Sequence, residues 1–332
     1  MKKISIVILL IAILASTGRG REHEQSVPLR FSEDGIFRIV QFTDIHFNYK
    51  TPRSDSVLTL LKTIIREEKP DLVVVTGDIV CSANTRLAWL QVTQPFIDAQ
   101  VPWAITLGNH DHEGELTNDQ IIDLVESLPY CVTTKGPANI SGSGNYVLHI
   151  QSSKSFIKTA ALIYCIDSNS YSSDKDISFY DWIKFDQIQW YRQQSIKYTR
   201  ENDDKPYPSL AFFHIPLPEY KEILNKETTL GDSFEFPTSP DINSGFYNAM
   251  VEMKDIMATF VGHDHDDNFI GCLHGICLGY GSKTGLDSYG RFEKGARVIE
   301  LHEGERRFDT WIRTIDKQPK YGVTYPDFFI GE

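Results

Sequence analysis

Leu72-Val73-Val74-Val75-Thr76-Gly77-Asp78 is the stretch from which the fold can be read. Three consecutive valines with no polar alternation suit a short strand covered on both faces, as in a parallel sheet. Gly77 and Asp78 end it, so a carboxylate arrives at the strand's C-terminal edge. Upstream, Ser54–Glu68 places Val57, Leu58, Leu61, Ile64 and Ile65 on one helical face, and Phe37–Thr43 is a strand rich in Ile, Val and Phe. Downstream the alternation continues with a helix over Thr85–Ala99, a strand over Trp103–Leu107 and a helix over Thr117–Leu128. Strands over Tyr146–Ile150 and Ala160–Ile166 precede a helix over Asp186–Tyr198 and a strand over Leu210–Phe213. A helix over Gly245–Asp255 and a strand over Ala258–Val261 lead into short strands and turns from Phe269 to Arg313. Ser168–Phe185 and Pro216–Asn243 read as irregular surface loops or a partial lid. No Pro- or Gly-rich linker divides the chain. The expectation is one α/β domain over 30–315, its sheets covered by helices, followed by a C-terminal tail, 316–332.

The 332 residues are 41% hydrophobic and 23% charged, which excludes a disordered, collagen-like or coiled-coil chain. With 33 basic and 45 acidic side chains the net charge is −12, so the chain is a poor general binder of nucleic-acid backbone. Lys2 and Lys3, then an apolar run from Ile4 to Ala15, then Ser16, Thr17 and Gly18, form the pattern of a secretory signal peptide over 1–20. The run is short for a membrane anchor, which needs about 20 apolar residues. The expectation is export, periplasmic or secreted, with no stable membrane span once the signal is cleaved. No feature specifies an oligomeric state.

Chemistry gathers where strands end. The first strand runs into Asp44-Ile45-His46, the second into Gly77-Asp78 and the third into Gly108-Asn109-His110-Asp111. Later strands deliver His214 and Gly262-His263-Asp264-His265. In open α/β sheets that edge is where ligands bind. One Asp or His after a strand is an ordinary turn residue, but five of the ten histidines lie in these ends, with Asp44, Asp78 and Asn109. Imidazole, carboxylate and amide oxygen are the donors of a site for two borderline divalent metals, and Mn, Fe and Zn all suit them.

The series D-x-H, G-D, G-N-H-D, H and G-H-x-H resembles the pattern of calcineurin-like metallophosphoesterases, over about Phe37 to Leu301. The resemblance implies a four-layer α/β/β/α metallophosphoesterase sandwich. It also implies one ion on Asp44, His46, Asp78 and His265 and a second on Asp78, Asn109, His214 and His263. Asp78 would bridge, and hydroxide between the ions would attack a phosphate ester. His110 would assist the leaving group, with Asp111 orienting its ring or capping a helix. Two divalent ions less two carboxylates leave +2, which would hold an anionic substrate on an acidic protein. A phosphomonoester is the favoured substrate, with a phosphodiester or a non-catalytic metal-binding role as alternatives. Phe212–Tyr220 and Asn243–Phe246 resemble a branch holding fungal phosphatase-like and plant purple acid phosphatase-like proteins, some named inactive. A purple acid phosphatase would have a tyrosine ligand where this chain has Cys81, so the tyrosinate–ferric site is not expected, and Cys81 reads as a packed thiol.

Two readings lie outside this set. Tyr289-Gly290-Arg291 reads as a surface loop, although Arg291 has the reach and charge for a phosphate. Phe269–Leu278 reads as a hairpin turning at His274-Gly275, where both residues need φ > 0. Cys272 then faces Cys277. A cross-strand bridge and two inward-packed thiols both fit, and reduced thiols are the expectation.

Overall fold

The computed structural model describes residues 28–316 and 318–329. The expected signal peptide, 1–20, lies outside them. In chain order the elements are β1 (Ile36–Phe42), α1 (Pro52–Glu68), β2 (Leu72–Thr76), α2 (Thr85–Asp98), β3 (Trp103–Thr106) and α3 (Asn118–Glu126). Then come β4 (Tyr146–Gln151), β5 (Thr159–Cys165), α4 (Phe185–Glu201), β6 (Ser209–Phe212), the one-turn α5 (Tyr220–Ile223) and α6 (Phe246–Met253). β7 (Ile256–Val261), β8 (Ile270–Leu273), β9 (Ile276–Tyr280), β10 (Gly295–His302), β11 (Phe308–Thr314) and β12 (Pro319–Tyr325) complete them.

Two six-stranded sheets result, ordered β12-β11-β10-β1-β2-β3 and β4-β5-β6-β7-β9-β8. β1, β2 and β3 run parallel, as do β5, β6, β7 and β9. The all-apolar β2 shows why this is a four-layer sandwich. Leu72 and Val74 enter the core between the sheets with Phe37, Ile39, Ile163 and Phe260. Val73 and Val75 enter the outer core beneath α1, α2 and α3 with Leu61, Trp89 and Ile121. A third core packs Tyr164, Ala211 and Val261 against Tyr191 of α4 and Met250 of α6. Each such side chain contributes about 1.5–3 kcal/mol when fully buried, so the central strands cannot slip register without losing a core on both faces.

Helix ends follow local chemistry. Thr51 caps α1 by accepting from Ser54 N, Pro52 opens it, and Lys69 closes it in the left-handed region. Thr117 and Gln120 close a reciprocal capping box on α3.

Three expectations change. The segment 316–332 is not simply a tail, because Pro319–Tyr325 adds an antiparallel strand to the sheet edge beside β11. The irregular Pro216–Asn243 stretch contains the short α5. The hairpin has the expected register, Leu273 opposite Ile276 and Cys272 opposite Cys277, with positive φ at His274 and Gly275. Its two cysteines, however, are joined as a disulfide across Cα atoms 3.9 Å apart, rather than left as thiols. A non-hydrogen-bonded antiparallel pair brings Cα atoms to about 4.5 Å, close enough to bridge. Among the described residues no helix is long and apolar enough to cross a membrane.

Candidate metal centre

The parallel strands of both sheets deliver their C-terminal loops to one place, and those loops are folded under constraint. Asp44, His46, Asp78 and His263 all adopt positive φ, between 47° and 81°. Non-glycine residues in that region cost on the order of 1–3 kcal/mol each and persist where the surroundings enforce them. Here the enforcement is mutual. Asp44 N donates to Gly77 O, and His46 N donates to Asp78 O at 2.9 Å. His263 N donates to both oxygens of Asp44 at 3.1–3.2 Å. Two motif glycines are explained by close approach. A Cβ on Gly108 would lie 2.2 Å from Asp78 Oδ1, and one on Gly262 would lie 1.9 Å from Thr43 Oγ1 and 2.6 Å from Asp44 Oδ2.

Six of the seven residues expected as ligands meet around Asp78. Asp44, His46, Asp78 and His265 each bring one donor atom, all within 4.8 Å of one another, and so do Asp78, His214 and His263. Asp78 Oδ2 lies 3.7 Å from His46 Nε2 and 3.3 Å from His214 Nε2, so the shared carboxylate is at the middle. The outer ring nitrogens are tied down. His214 Nδ1 donates to Thr76 O at 2.8 Å, and His265 Nδ1 lies 3.1 Å from Tyr289 O. His46 Nδ1 is 3.1 Å from Cys81 Sγ. Such outer partners fix tautomer and orientation in metal sites. The inner nitrogens face each other, His46 Nε2 to His265 Nε2 at 3.0 Å and His263 Nδ1 to His214 Nε2 at 3.3 Å.

Asn109 is the seventh expected ligand. Its Nδ2 donates to Tyr171 Oη at 3.0 Å, while its Oδ1 is buried with no hydrogen-bond partner. A buried orphan carbonyl is costly unless a ligand takes it up. That orphan, with lone pairs of four imidazoles converging on two carboxylates, fits two divalent cations.

His110 stands at the opening. Its side chain is 35% exposed, whereas no ligand residue exceeds 7%. Its Nε2 points inward, 4.0 Å from Asp78 Oδ2. Its Nδ1 pairs with Glu113 Oε2 at 2.9 Å. The expected role of Asp111 as its orienter is therefore corrected. Asp111 is fully buried and faces the other way, accepting from Ile79 N and Val80 N through Oδ1 and from Gly108 N through Oδ2 at 2.8–3.0 Å. It clasps the loop after β2 to the loop after β3. The helix-cap reading fails as well, since Thr117 caps α3. Arg291 does not turn to the centre either. It binds Asp266 through its backbone N and through Nε at 3.3 Å, beneath Phe234.

Charge inside the centre is strongly polarised. Burial alone would raise Asp44 and Asp78, yet the imidazoles beside them hold both below the usual carboxylate range. Burial keeps His46 and His263 neutral, down to about 4 and about 3. Burial also opposes charge on His214, but Asp78 and Asp44 outweigh it and lift that ring to about 10. Asp111 is pushed up to about 7, first by burial and then by Asp78. Burial, then the nearby carboxylates, push the Cys81 thiol up, which keeps it protonated as a small partner of His46.

Aromatic walls were not legible in the sequence. Tyr180 meets His263 edge-on at 4.5 Å, Tyr289 stacks on His265 at 4.2 Å, and Tyr171 flanks His110 at 6.3 Å. Two of the three come from the loop between β5 and α4, which has no periodicity to read.

Comparison with known proteins agrees with this geometry. A family model described as calcineurin-like phosphoesterase matches residues 37–267. Probable inactive purple acid phosphatase 29 of Arabidopsis thaliana is 35% identical over 315 residues, covering 85% of this chain and 81% of the plant protein. Phosphatase DCR2 of Saccharomyces cerevisiae is 31% identical over 332 residues, covering 88% of this chain and 56% of the yeast protein. A crystal structure of a dimetal phosphatase from Danio rerio superposes with a TM-score of 0.60 at 12% identity, over 88% of this chain and 99% of that one. At that identity the match speaks for the fold alone.

Proposed function

The chain belongs to the calcineurin-like phosphoesterase family, and on that premise we propose that it hydrolyses phosphate esters at a two-ion centre, monoesters in preference to diesters. One observation carries the reading. Six buried Asp and His side chains form two groups that share the Asp78 carboxylate, and Asn109 Oδ1, the remaining expected donor, is buried with no hydrogen-bond partner. The first ion would be held by Asp44, His46, Asp78 and His265, the second by Asp78, Asn109, His214 and His263. When bound, two such ions supply an activated water and a clamp for the phosphoryl oxygens.

The chain's own residues do the rest. Asp78 sets the spacing by offering one oxygen to both groups. Asp111 holds the loops that carry Asp78 and His110 against each other. His110 Nε2 is the donor nearest the opening, placed to give a proton to the departing ester oxygen. The ligands are buried and His110 beside them is the more exposed group, which supports a terminal phosphate with one substituent as the favoured substrate. Several plant relatives bear the words probable inactive in their names. Six of the seven expected ligands gather in two buried groups beside His110, which supports an active enzyme. The N-terminal pattern supports an exported location.

Side-by-side hydrolysis of 4-nitrophenyl phosphate and bis(4-nitrophenyl) phosphate, with Mn, Fe or Zn and with chelator, tests the proposal. Metal-dependent turnover with the monoester faster is expected. Turnover that survives chelation, or a faster diester, contradicts it.

A further inference from the structure

The segment Asn109-His110-Asp111-His112-Glu113 folds back on itself, with Glu113 N donating to His110 O at 3.1 Å. This turn brings the Glu113 carboxylate to the outer edge of the His110 ring, Oε2 to Nδ1 at 2.9 Å. The other oxygen, Oε1, accepts from Tyr171 Oη at 3.4 Å, and Tyr171 Oη itself accepts from Asn109 Nδ2 at 3.0 Å. One carboxylate thus ends two chains of hydrogen bonds. The first holds the imidazole with Nε2 toward Asp78. The second holds the Asn109 amide nitrogen, while the amide oxygen is buried without a partner. A ring donating from Nδ1 to a carboxylate keeps that proton and uses Nε2 for chemistry.

We propose that Glu113 is the positioning residue of the reaction: it orients the ring of His110. The inference rests on the hydrolase reading above. In the step it serves, an oxygen from water bonds to phosphorus as the bond from phosphorus to the leaving oxygen breaks. The electron pair of the broken bond stays on the leaving oxygen, the proton on His110 Nε2 moves there, and the water's proton leaves to solvent. Glu113 does not exchange a proton. It keeps the Nδ1 proton in place and so fixes where Nε2 points.

Removing such an outer partner typically lowers activity or metal affinity by about 10–100-fold. Glu113 lies at the surface, its side chain 49% exposed, so its loss does not open the core. Glu113→Ala is expected to lower kcat about 10–100-fold on an alkyl phosphate, whose leaving oxygen needs the proton. On 4-nitrophenyl phosphate, whose leaving group needs little help, the loss is expected to stay below about 3-fold. In the His110→Ala background the same change is expected to add almost nothing, since residues acting as one unit are not additive. Glu113→Gln, which offers a single acceptor oxygen, is expected to fall between parent and Glu113→Ala. Equal losses on both esters, full additivity with His110→Ala, or no loss at all would overturn the proposal.

A parent inert toward every ester would instead sink the hydrolase reading. The ¹⁵N shifts of the His110 ring then decide the positioning alone. Glu113→Ala is expected to shift the ring away from the Nδ1-protonated form, and unchanged shifts overturn it.

Discussion

Replacing Asp111 by asparagine separates two roles a carboxylate could have beside His110. In the structure its two oxygens accept three backbone N–H groups, two from the loop after β2 and one from the loop after β3. The asparagine oxygen can keep the pair Ile79 N and Val80 N. Its amide nitrogen must then face Gly108 N, donor against donor, in a fully buried place. A hydrogen bond to a charged acceptor is worth about 1.5–3 kcal/mol, and a buried unsatisfied donor costs about 1–3 kcal/mol. The sum is about 2.5–6 kcal/mol. At the lower end of the scaling for domains of this size, about 2 °C per kcal/mol, the thermal midpoint should fall by roughly 5–12 °C. The assay is thermal denaturation of chelator-treated protein at pH 8, above the value near 7 to which burial and Asp78 push this group. Metal affinity should fall as well, because Asp78 and His110 N are held by these loops, His110 N donating to Asp78 Oδ1 at 2.8 Å. A midpoint within about 1 °C of the parent, with turnover alone reduced, would refute the clasp and restore Asp111 as an orienter of His110.

Further outcomes follow from the same geometry. His110→Ala should lower turnover on a poor leaving group by about 10²–10⁴ and leave bound metal unchanged, whereas Asp78→Ala should lose metal and activity together; metal analysis beside kinetics tells them apart. Gly108→Ala drives a Cβ to within 2.2 Å of Asp78 Oδ1, so it should weaken metal binding in titration calorimetry although no ligand is altered. Asp267 is raised from 3.8 to about 7, chiefly by burial. Its extra stabilisation is therefore complete below pH about 4 and lost as pH rises toward 7. The thermal midpoint of the metal-free parent minus that of Asp267→Asn should accordingly be larger at pH 5 than at pH 7.5, and a difference independent of pH would contradict the assignment.

What could be read from the sequence depended on whether physics left a local mark. The valine run of β2 marks a strand buried on both faces, and every candidate metal donor follows the end of a strand, so those residues could be found by position. Gly77, Gly108 and Gly262 were visible as motif letters, but their reason, side-chain atoms of His214, Asp78 or Thr43 and Asp44 where Cβ would be, is a contact between distant loops. Glu113 left no mark because its partner lies three residues back in an irregular turn. Asp111, the nearest carboxylate in sequence, points to the opposite side. Tyr171 and Tyr180 sit in a loop whose path is set by tertiary packing. β12 escaped because Pro319–Tyr325 is polar and half exposed, and pairs only along an outer edge. The Cys272–Cys277 register followed from the turn chemistry, whereas the bond itself depends on sulfur geometry that the register does not specify.

The central claim is that two ions share Asp78, and the anomalous scattering of a crystal grown with manganese tests it most directly. Two peaks about 3.5–4 Å apart are expected on either side of the Asp78 carboxylate, one against Asp44, His46 and His265, the other against Asn109, His214 and His263. A single peak there, or manganese bound only elsewhere on the molecule, would contradict the account.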